Sequence, residues 1–256
     1  MSNFPGLEAR RVPNFRAAPG RLAAGVLAGV FAQDCALCGA PSGRLVCTGC
    51  LASLSRPRAA CARCAIALAE AALCGRCRAR PPAFDETRAA FDYRFPIDRL
   101  MQRFKYAGDL ALGRWFAEEL AATLRDADRP HVIACPPSTT ERLRERGFNP
   151  ALEIAKVVAR RLDVRCAIGG LARARDTAPQ PGLGRGARQR NIEGALRCAM
   201  ACEGLHVALV DDVMTTGATA NAAARVLKRA GAARVSVWAV ARTPEPNARK
   251  GNGGDV

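Results

Sequence analysis

The sequence predicts an α/β domain built on a mainly parallel sheet with helices on both faces, preceded by a small cysteine-rich module. Three observations carry this expectation. Beyond residue 83, short apolar runs of strand length alternate with longer segments of helical period. Eight of the twelve cysteines fall between Cys35 and Cys77, in four Cys-x-x-Cys pairs. Arg80-Pro81-Pro82 then stiffens the chain between the two regions. At 256 residues the chain suffices for one small and one medium domain. The expected organisation is a basic flexible arm at 1–20, the cysteine module with a leading helix at 21–82, the α/β domain at 83–243 and a disordered tail at 244–256.

Each element has a local reason. Residues 1–20 contain three prolines and no sustained period. Leu22, Val26, Val30 and Phe31 recur at helical spacing, which predicts a short docking helix. That apolar stretch ends by Ala32, and its 11 residues fall far short of the ~20 that cross a bilayer. Arg10, Arg11, Arg16 and Arg21 before it would suit a secretory leader, but no clear small-x-small cleavage site follows and the cysteines downstream read as metal ligands. A cytoplasmic location is expected, with at most a peripheral association with the inner membrane.

Further on, Thr87 to Phe95 alternates Ala89, Phe91, Tyr93 and Phe95 with Arg88, Ala90, Asp92 and Arg94, the period of a half-buried strand. Leu100, Phe104 and Ala107 share a helical face. Asp109 is placed to cap a second helix bearing Leu112, Phe116, Leu120 and Leu124. His131 to Cys135 reads as a short buried strand followed by a polar loop. Asn149 and Pro150 then form a strong helix start ahead of Ile154, Val157, Val158 and Leu162. Leu171 to Ala174 reads as a strand and Arg175 to Asn191 as a mobile Gly/Pro/Gln/Arg loop. His206 to Val210 (strand), Thr216 to Ala230 (helix, stopped by Gly231) and Arg234 to Ala241 (strand) complete the pattern.

The charge narrows the partners. Lys plus Arg number 39 against 23 acids, a net +16, and only Lys105, Lys156, Lys228 and Lys250 are lysines. This excess favours anionic partners such as nucleic acid, phosphorylated metabolites or an anionic membrane face; solvated surface arginine is the plain alternative. With hydrophobic residues at 49% and charged residues at 24%, disordered and fibrous classes are excluded.

The pairs Cys35/Cys38, Cys47/Cys50, Cys61/Cys64 and Cys74/Cys77 have zinc-knuckle spacing: two intervening residues let a tight turn aim both sulfurs at one ion, and two turns complete a tetrahedron. Disulfides and a single redox motif fit a fourfold repeat less well. Two structural Zn²⁺ ions are expected, the first two knuckles on one and the last two on the other, with interleaving left open. Buried packing is the plain reading of Cys135, Cys166, Cys198 and Cys202.

The segment His206-Val-Ala-Leu-Val-Asp-Asp-Val-Met-Thr-Thr-Gly-Ala-Thr219 holds the most chemistry. An apolar strand delivers Asp211 and Asp212 to the carboxyl end of the sheet, where α/β folds bind ligands. Thr215, Thr216, Gly217 and Thr219 then lead into a helix, offering hydroxyls, backbone N–H groups and a positive dipole end to a phosphate. Neighbouring carboxylates accept hydrogen bonds from a vicinal diol, so one site suits a ribose with its 5′-phosphate. A P-loop is excluded, because its Gly-Lys-Ser/Thr is missing.

These residues carry a resemblance. Val210 to Thr219 resembles the phosphoribosyl pyrophosphate signature of type I phosphoribosyltransferases. The whole order from four knuckles to this loop, over about Gly29 to Pro244, resembles the ComF family, linked in bacteria to competence and DNA uptake. Arg80-Pro-Pro-Ala-Phe-Asp85, Phe104-Lys-Tyr-Ala-Gly-Asp109, Arg142-Leu-Arg-Glu-Arg-Gly-Phe-Asn149, Gln180-Pro-Gly-Leu-Gly-Arg185 and Arg188-Gln-Arg-Asn191 belong to the likeness. It implies a type I phosphoribosyltransferase-like fold.

The resemblance also implies roles. Asp211 and Asp212 match the ribose-binding acids, and Thr215, Thr216, Gly217 and Thr219 the 5′-phosphate loop. Lys105 and the Arg142 to Arg146 segment, with Arg144 and Arg146, match positions near the pyrophosphate. Arg173 to Asn191, including Arg175, Gln180, Arg185, Arg188 and Asn191, matches a loop that closes over the site. Phosphoribosyl pyrophosphate and Mg²⁺ are the implied ligands. The chain departs from the family at Cys135-Pro-Pro-Ser-Thr-Thr140, where Pro-Val-Pro-Leu-His-Pro is usual, and at Pro150, where Gln is common. Two readings follow: a phosphoribosyltransferase, and a non-catalytic single-stranded-DNA factor that uses the same fold to hold phosphates. Aromatics at 5% are thin for a base-stacking platform.

Overall fold

The structure, a computed structural model, describes residues 33–174 and 196–244. The expected arm and leading helix, the loop residues Arg175, Gln180, Arg185, Arg188 and Asn191, and the tail from residue 245 onward lie outside the described residues. By compactness the chain divides between Cys47 and Thr48. In the first unit β1 (Gln33–Asp34) pairs antiparallel with β2 (Pro41–Ser42), and Ala36 N–H donates to Leu45 O at 2.8 Å.

The second unit opens with α1 (Thr48–Ser53) and α2 (Gly75–Ala79), the latter capped by Cys74, whose sulfur accepts from Cys77 N–H. It is centred on five parallel strands: β3 (Glu86–Asp92), β4 (Val132–Ala134), β5 (Arg165–Cys166), and two nine-residue strands. The intervening β6 (Leu171–Arg173) and β7 (Leu196–Cys198) form a separate antiparallel pair, and β8 (His206–Met214) and β9 (Arg234–Arg242) are the long ones. The sheet order is β3-β9-β8-β4-β5. Connecting helices are α3 (Ile97–Ala107), α4 (Leu110–Thr123), α5 (Thr140–Arg146), α6 (Pro150–Leu162) and α7 (Ala218–Arg229).

This order creates the site. The β8-to-β9 crossover steps toward one edge of the sheet and the β4-to-β5 crossover toward the other. Right-handed connections therefore put α7 and α6 on opposite faces. The direction reverses between β8 and β4, and a crevice opens at their carboxyl ends. On the α6 face, α4 packs against α6, and Phe91 stacks on Trp115 at 5.6 Å with Phe116 edge-on. Gly113 is required there: a Cβ would lie 2.4 Å from the Phe104 ring.

The local caps form where their signals stand. Asp109 accepts from Leu112 N–H, and Asn149 from Ala151 N–H with Pro150 at the first turn. Three details differ from expectation. The polar segment after Cys135 contains α5, capped by Thr139 and stopped by left-handed Gly147; with no buried residue it lacks the apolar period that signals a helix. β8 continues past Val210 through both acids to Met214, because pairing with β9 places Asp211 opposite Ala239 and Met214 opposite Arg242. β3 stops at Asp92, so Phe95 lies beyond it and is 76% exposed.

The third and fourth knuckles are part of the sheet's own core. Cys61, Cys64, Ile66, Cys74 and Cys77 share one buried cluster with Phe84, Val207, Met214, Ala220 and Ala239. The third knuckle and the segment before it also cover β3, an edge strand whose unpaired groups would otherwise invite foreign pairing. Thr87 N–H donates to Ala62 O at 3.1 Å and Asp92 N–H to Ser55 O at 2.9 Å. Among the described residues no helix is long and apolar enough to cross a membrane.

Candidate functional site

Two groups of four sulfurs stand within 4.8 Å of one another: Cys35, Cys38, Cys47 and Cys50, and Cys61, Cys64, Cys74 and Cys77. This is the sequential, non-interleaved pairing. Zn–S bonds of about 2.3 Å place tetrahedral sulfurs about 3.8 Å apart. Cys38 and Cys47 sulfurs are 3.9 Å apart, and those of Cys64 and Cys74 3.7 Å. Backbone N–H groups of Cys47, Cys38 and Leu37 lower the Cys35 thiol to about 6. Burial opposes ionisation of Cys61, yet N–H groups of Cys74, Cys64 and Arg63 bring it down to about 7. Burial and then neighbouring sulfurs raise Cys77. Four thiolates thus need a cation's charge, and both sets fit structural zinc.

At the crevice, β8 carries Asp211 and Asp212 to its carboxyl end, both half-buried. Burial, then the charge of Asp212, pushes the Asp211 carboxyl up to about 7. Asp212 N–H donates to Asp211 Oδ1 at 2.9 Å, and Lys105 Nζ from the end of α3 lies 2.9 Å from Asp212 Oδ1. Arg142 of α5 is close enough for its charge to oppose the rise at Asp211. Beyond Met214 the chain turns through exposed Thr215 and Thr216 to Gly217, whose φ of +78° starts α7 without a capping side chain. Thr216 Oγ1 accepts from Ala218 N–H, and Thr219 is exposed on the first turn. The loop therefore presents hydroxyls and a helix N-terminus beside two acids.

The expected basic residues divide. Lys105 reaches the acids directly. Arg146 lies over the Tyr106 ring at 4.7 Å and donates to its hydroxyl at 3.0 Å, while Arg144 is exposed on α5. Three neighbours escaped the sequence reading. Tyr93 feels the charge of Asp212 and stands close to Tyr106, and only its place past the end of β3 could have signalled this. Tyr106 follows Lys105 in a motif already singled out. Arg242, buried behind the loop, has no local signal at all.

Other candidates are removed by position. Both histidines sit at the opposite end of the sheet, His206 N–H donating to His131 Nδ1. Burial, then Cys166 and Asp211, pushes the Cys135 thiol up to about 12, so it is no nucleophile. An open groove of about 560 Å³ runs along α6 and β5, between Glu153 and Cys166, and no residue of β8 lines it.

A double zinc ribbon domain model matches residues 26–78 and a phosphoribosyl transferase domain model residues 149–252. DNA utilization protein YhgH of Salmonella typhimurium is 32% identical over 205 residues, covering 77% of this chain and 90% of that protein. Competence protein F of Haemophilus influenzae is 32% identical over 178 residues, 66% of this chain and 78% of that one. Competence protein ComFC of Bacillus subtilis is 29% identical over 167 residues, 62% and 65% of the two chains. With two four-cysteine ribbons leading into a phosphoribosyltransferase fold whose acids lie near the carboxyl end of β8 at the switch of strand order, the chain belongs to the ComF family, alongside competence protein F and YhgH.

Proposed function

We propose that the protein binds phosphoribosyl pyrophosphate with Mg²⁺ in the crevice between β8 and β4 and transfers the phosphoribosyl group to an acceptor. The observation that carries this is the continuity of Asp211-Asp212 with a hydroxyl-rich turn opening α7. The Asp211 carboxyl, pushed up to about 7 by burial and by Asp212, donates to a diol when protonated and accepts from it when ionised. Asp212 accepts from the second hydroxyl beside the Lys105 ammonium. Thr215, Thr216, Gly217 and Thr219 hold the 5′-phosphate against the helix dipole. Lys105, Arg144 and Arg146 supply positive charge on the pyrophosphate side.

In the transfer, the C1–oxygen bond to pyrophosphate breaks and the electron pair leaves with pyrophosphate. The acceptor lone pair forms the new C1 bond, and its proton passes to water. Bound with the substrate, Mg²⁺ would supply further positive charge for the leaving pyrophosphate, beside Lys105, Arg144 and Arg146. The acids stand by the ring as positive charge develops on it. Calorimetry with Mg²⁺ and phosphoribosyl pyrophosphate tests the reading: the protein binds, and Asp211→Asn with Asp212→Asn weakens binding at least 100-fold. No heat of binding from the unaltered protein overturns it.

The relatives' names support a role in competence or DNA use. A non-catalytic single-stranded-DNA factor is the second reading, favoured by Tyr106, 68% exposed beneath Arg146, and by exposed Phe95. A gel shift separates the two: binding to single-stranded DNA that weakens with salt and with Tyr106→Ala, in a protein that ignores phosphoribosyl pyrophosphate, selects it.

A further inference from the structure

Arg242 closes β9 and is only 2% exposed. Its guanidinium reaches two regions far apart in sequence. Nε donates to Cys64 O, on the third knuckle, at 2.8 Å. Nη1 donates to Met214 O at 2.9 Å, to Thr215 O, and to Thr243 O at 3.0 Å. Met214 and Thr215 lead into the turn that opens α7.

The peptide unit is planar and trans, so its C=O and N–H point in opposite directions. With the carbonyls of Met214 and Thr215 drawn toward a buried cation, the N–H groups of Thr215 and Thr216 point the other way, toward the exposed side of the turn. That is the orientation an anion needs, and the buried charge behind the turn adds to its pull. The knuckle is held just as closely. Three successive carbonyls are engaged by the sheet: Ala62 O by Thr87 N–H at 3.1 Å, Arg63 O by Thr87 Oγ1 at 2.8 Å, and Cys64 O by Arg242. Arg63 in turn donates to Phe84 O at 2.9 Å, and the Phe84 ring lies 3.9 Å from the place a Gly217 Cβ would take.

We infer that Arg242 is a positioning residue that presets the anion-binding turn and couples it to the Cys61/Cys64/Cys74/Cys77 site, so that metal retention there and phosphate occupancy at Thr215–Thr219 favour one another. The inference rests on the proposed phosphate-binding role of the turn. Coupling of this kind is reciprocal: whatever ligand gains from an ordered knuckle, the knuckle gains from ligand.

The test uses the full-length zinc-loaded protein, Arg242→Gln and Arg242→Lys. Hydrogen exchange at the Thr243 amide, which donates to Met214 O at 3.1 Å beside the Arg242 guanidinium, rises at least tenfold in Arg242→Gln and less in Arg242→Lys. In the unaltered protein, saturating phosphoribosyl pyrophosphate with Mg²⁺ slows transfer of one of two zinc ions to a chromogenic chelator severalfold. Arg242→Gln loses that slowing. Unchanged exchange in Arg242→Gln, or ligand-independent zinc release from a protein that binds the ligand, overturns the coupling. Should Arg242→Gln fail to fold, the zinc-release comparison on the unaltered protein decides alone. If the unaltered protein binds no phosphoribosyl pyrophosphate, the proposed function falls, and the exchange comparison still decides whether Arg242 orders the turn.

Discussion

The two four-cysteine groups share spacing and donor chemistry but not surroundings. In the first, Cys35 is buried, Cys38 exposed, and Cys47 and Cys50 half-buried, with short backbone bonds such as Cys35 N–H to Ala40 O tightening its own turn. In the second all four are buried, in one cluster with residues of β8, β9 and α7. The same knuckle thus serves as a local staple in one place and as part of a domain core in the other. Metal energy counts toward whatever folds cooperatively with the site, so zinc held by the second group would add to the stability of the core it shares with the sheet.

Substitution of one ligand from each set exposes the contrast most strongly. Cys77→Ser removes a ligand from inside the core and costs about 5 kcal/mol or more, so thermal melting shows loss of the main transition. Cys38→Ser lowers zinc from two ions to one per chain while the main transition moves by less than about 2 °C. Equal shifts in the two variants would erase the distinction.

The next largest effect asks whether the acids strain the core that the second group supports. Asp211 holds its proton to about 7 in the folded chain against an ordinary 3.8, so the native state binds more protons between those values. Stability accordingly falls as pH rises from about 4 to 7. Asp211→Asn keeps the side-chain oxygen facing Asp212 N–H and has no charge to bury. It melts higher than the unaltered protein at pH 8, by about 1–2 kcal/mol, and the two converge near pH 4. A flat difference across that range would mean that burial is not the cause.

Two smaller changes sharpen the contact between the second group and the turn. Gly217→Ala places a Cβ at φ +78° and 2.7 Å from Met214 Cε, for a cost of about 1–2 kcal/mol in denaturant unfolding. Thr87→Val leaves Arg63 O without its hydroxyl partner and costs about 1 kcal/mol, with both zinc ions retained. A larger loss with release of one zinc would show the knuckle leaning on this one bond.

Much of the chemistry was legible from local signals. Asn149-Pro150 and Asp109 cap where their residue types predict, and the knuckle spacing sets both metal groups, because turns and caps involve residues two or three apart. β3 does not keep the period of two that its sequence suggests. Ala90, Phe91 and Asp92 are buried in succession, since a parallel sheet covered on both faces does not alternate. α5 was hidden because a helix with no buried side leaves no apolar stripe.

What the chain determined by itself is therefore the set of parts: four knuckles, the helix starts, and an acid pair leading into a threonine turn. Only the tertiary structure decided which parts meet. Lys105 pairs with Asp212 and Arg242 with Cys64, contacts that join residues distant in sequence. Periodicity and capping report each residue's near neighbours along the chain. A buried cation's partner is chosen by sheet order and packing, which bring distant segments together and leave no trace in local spacing.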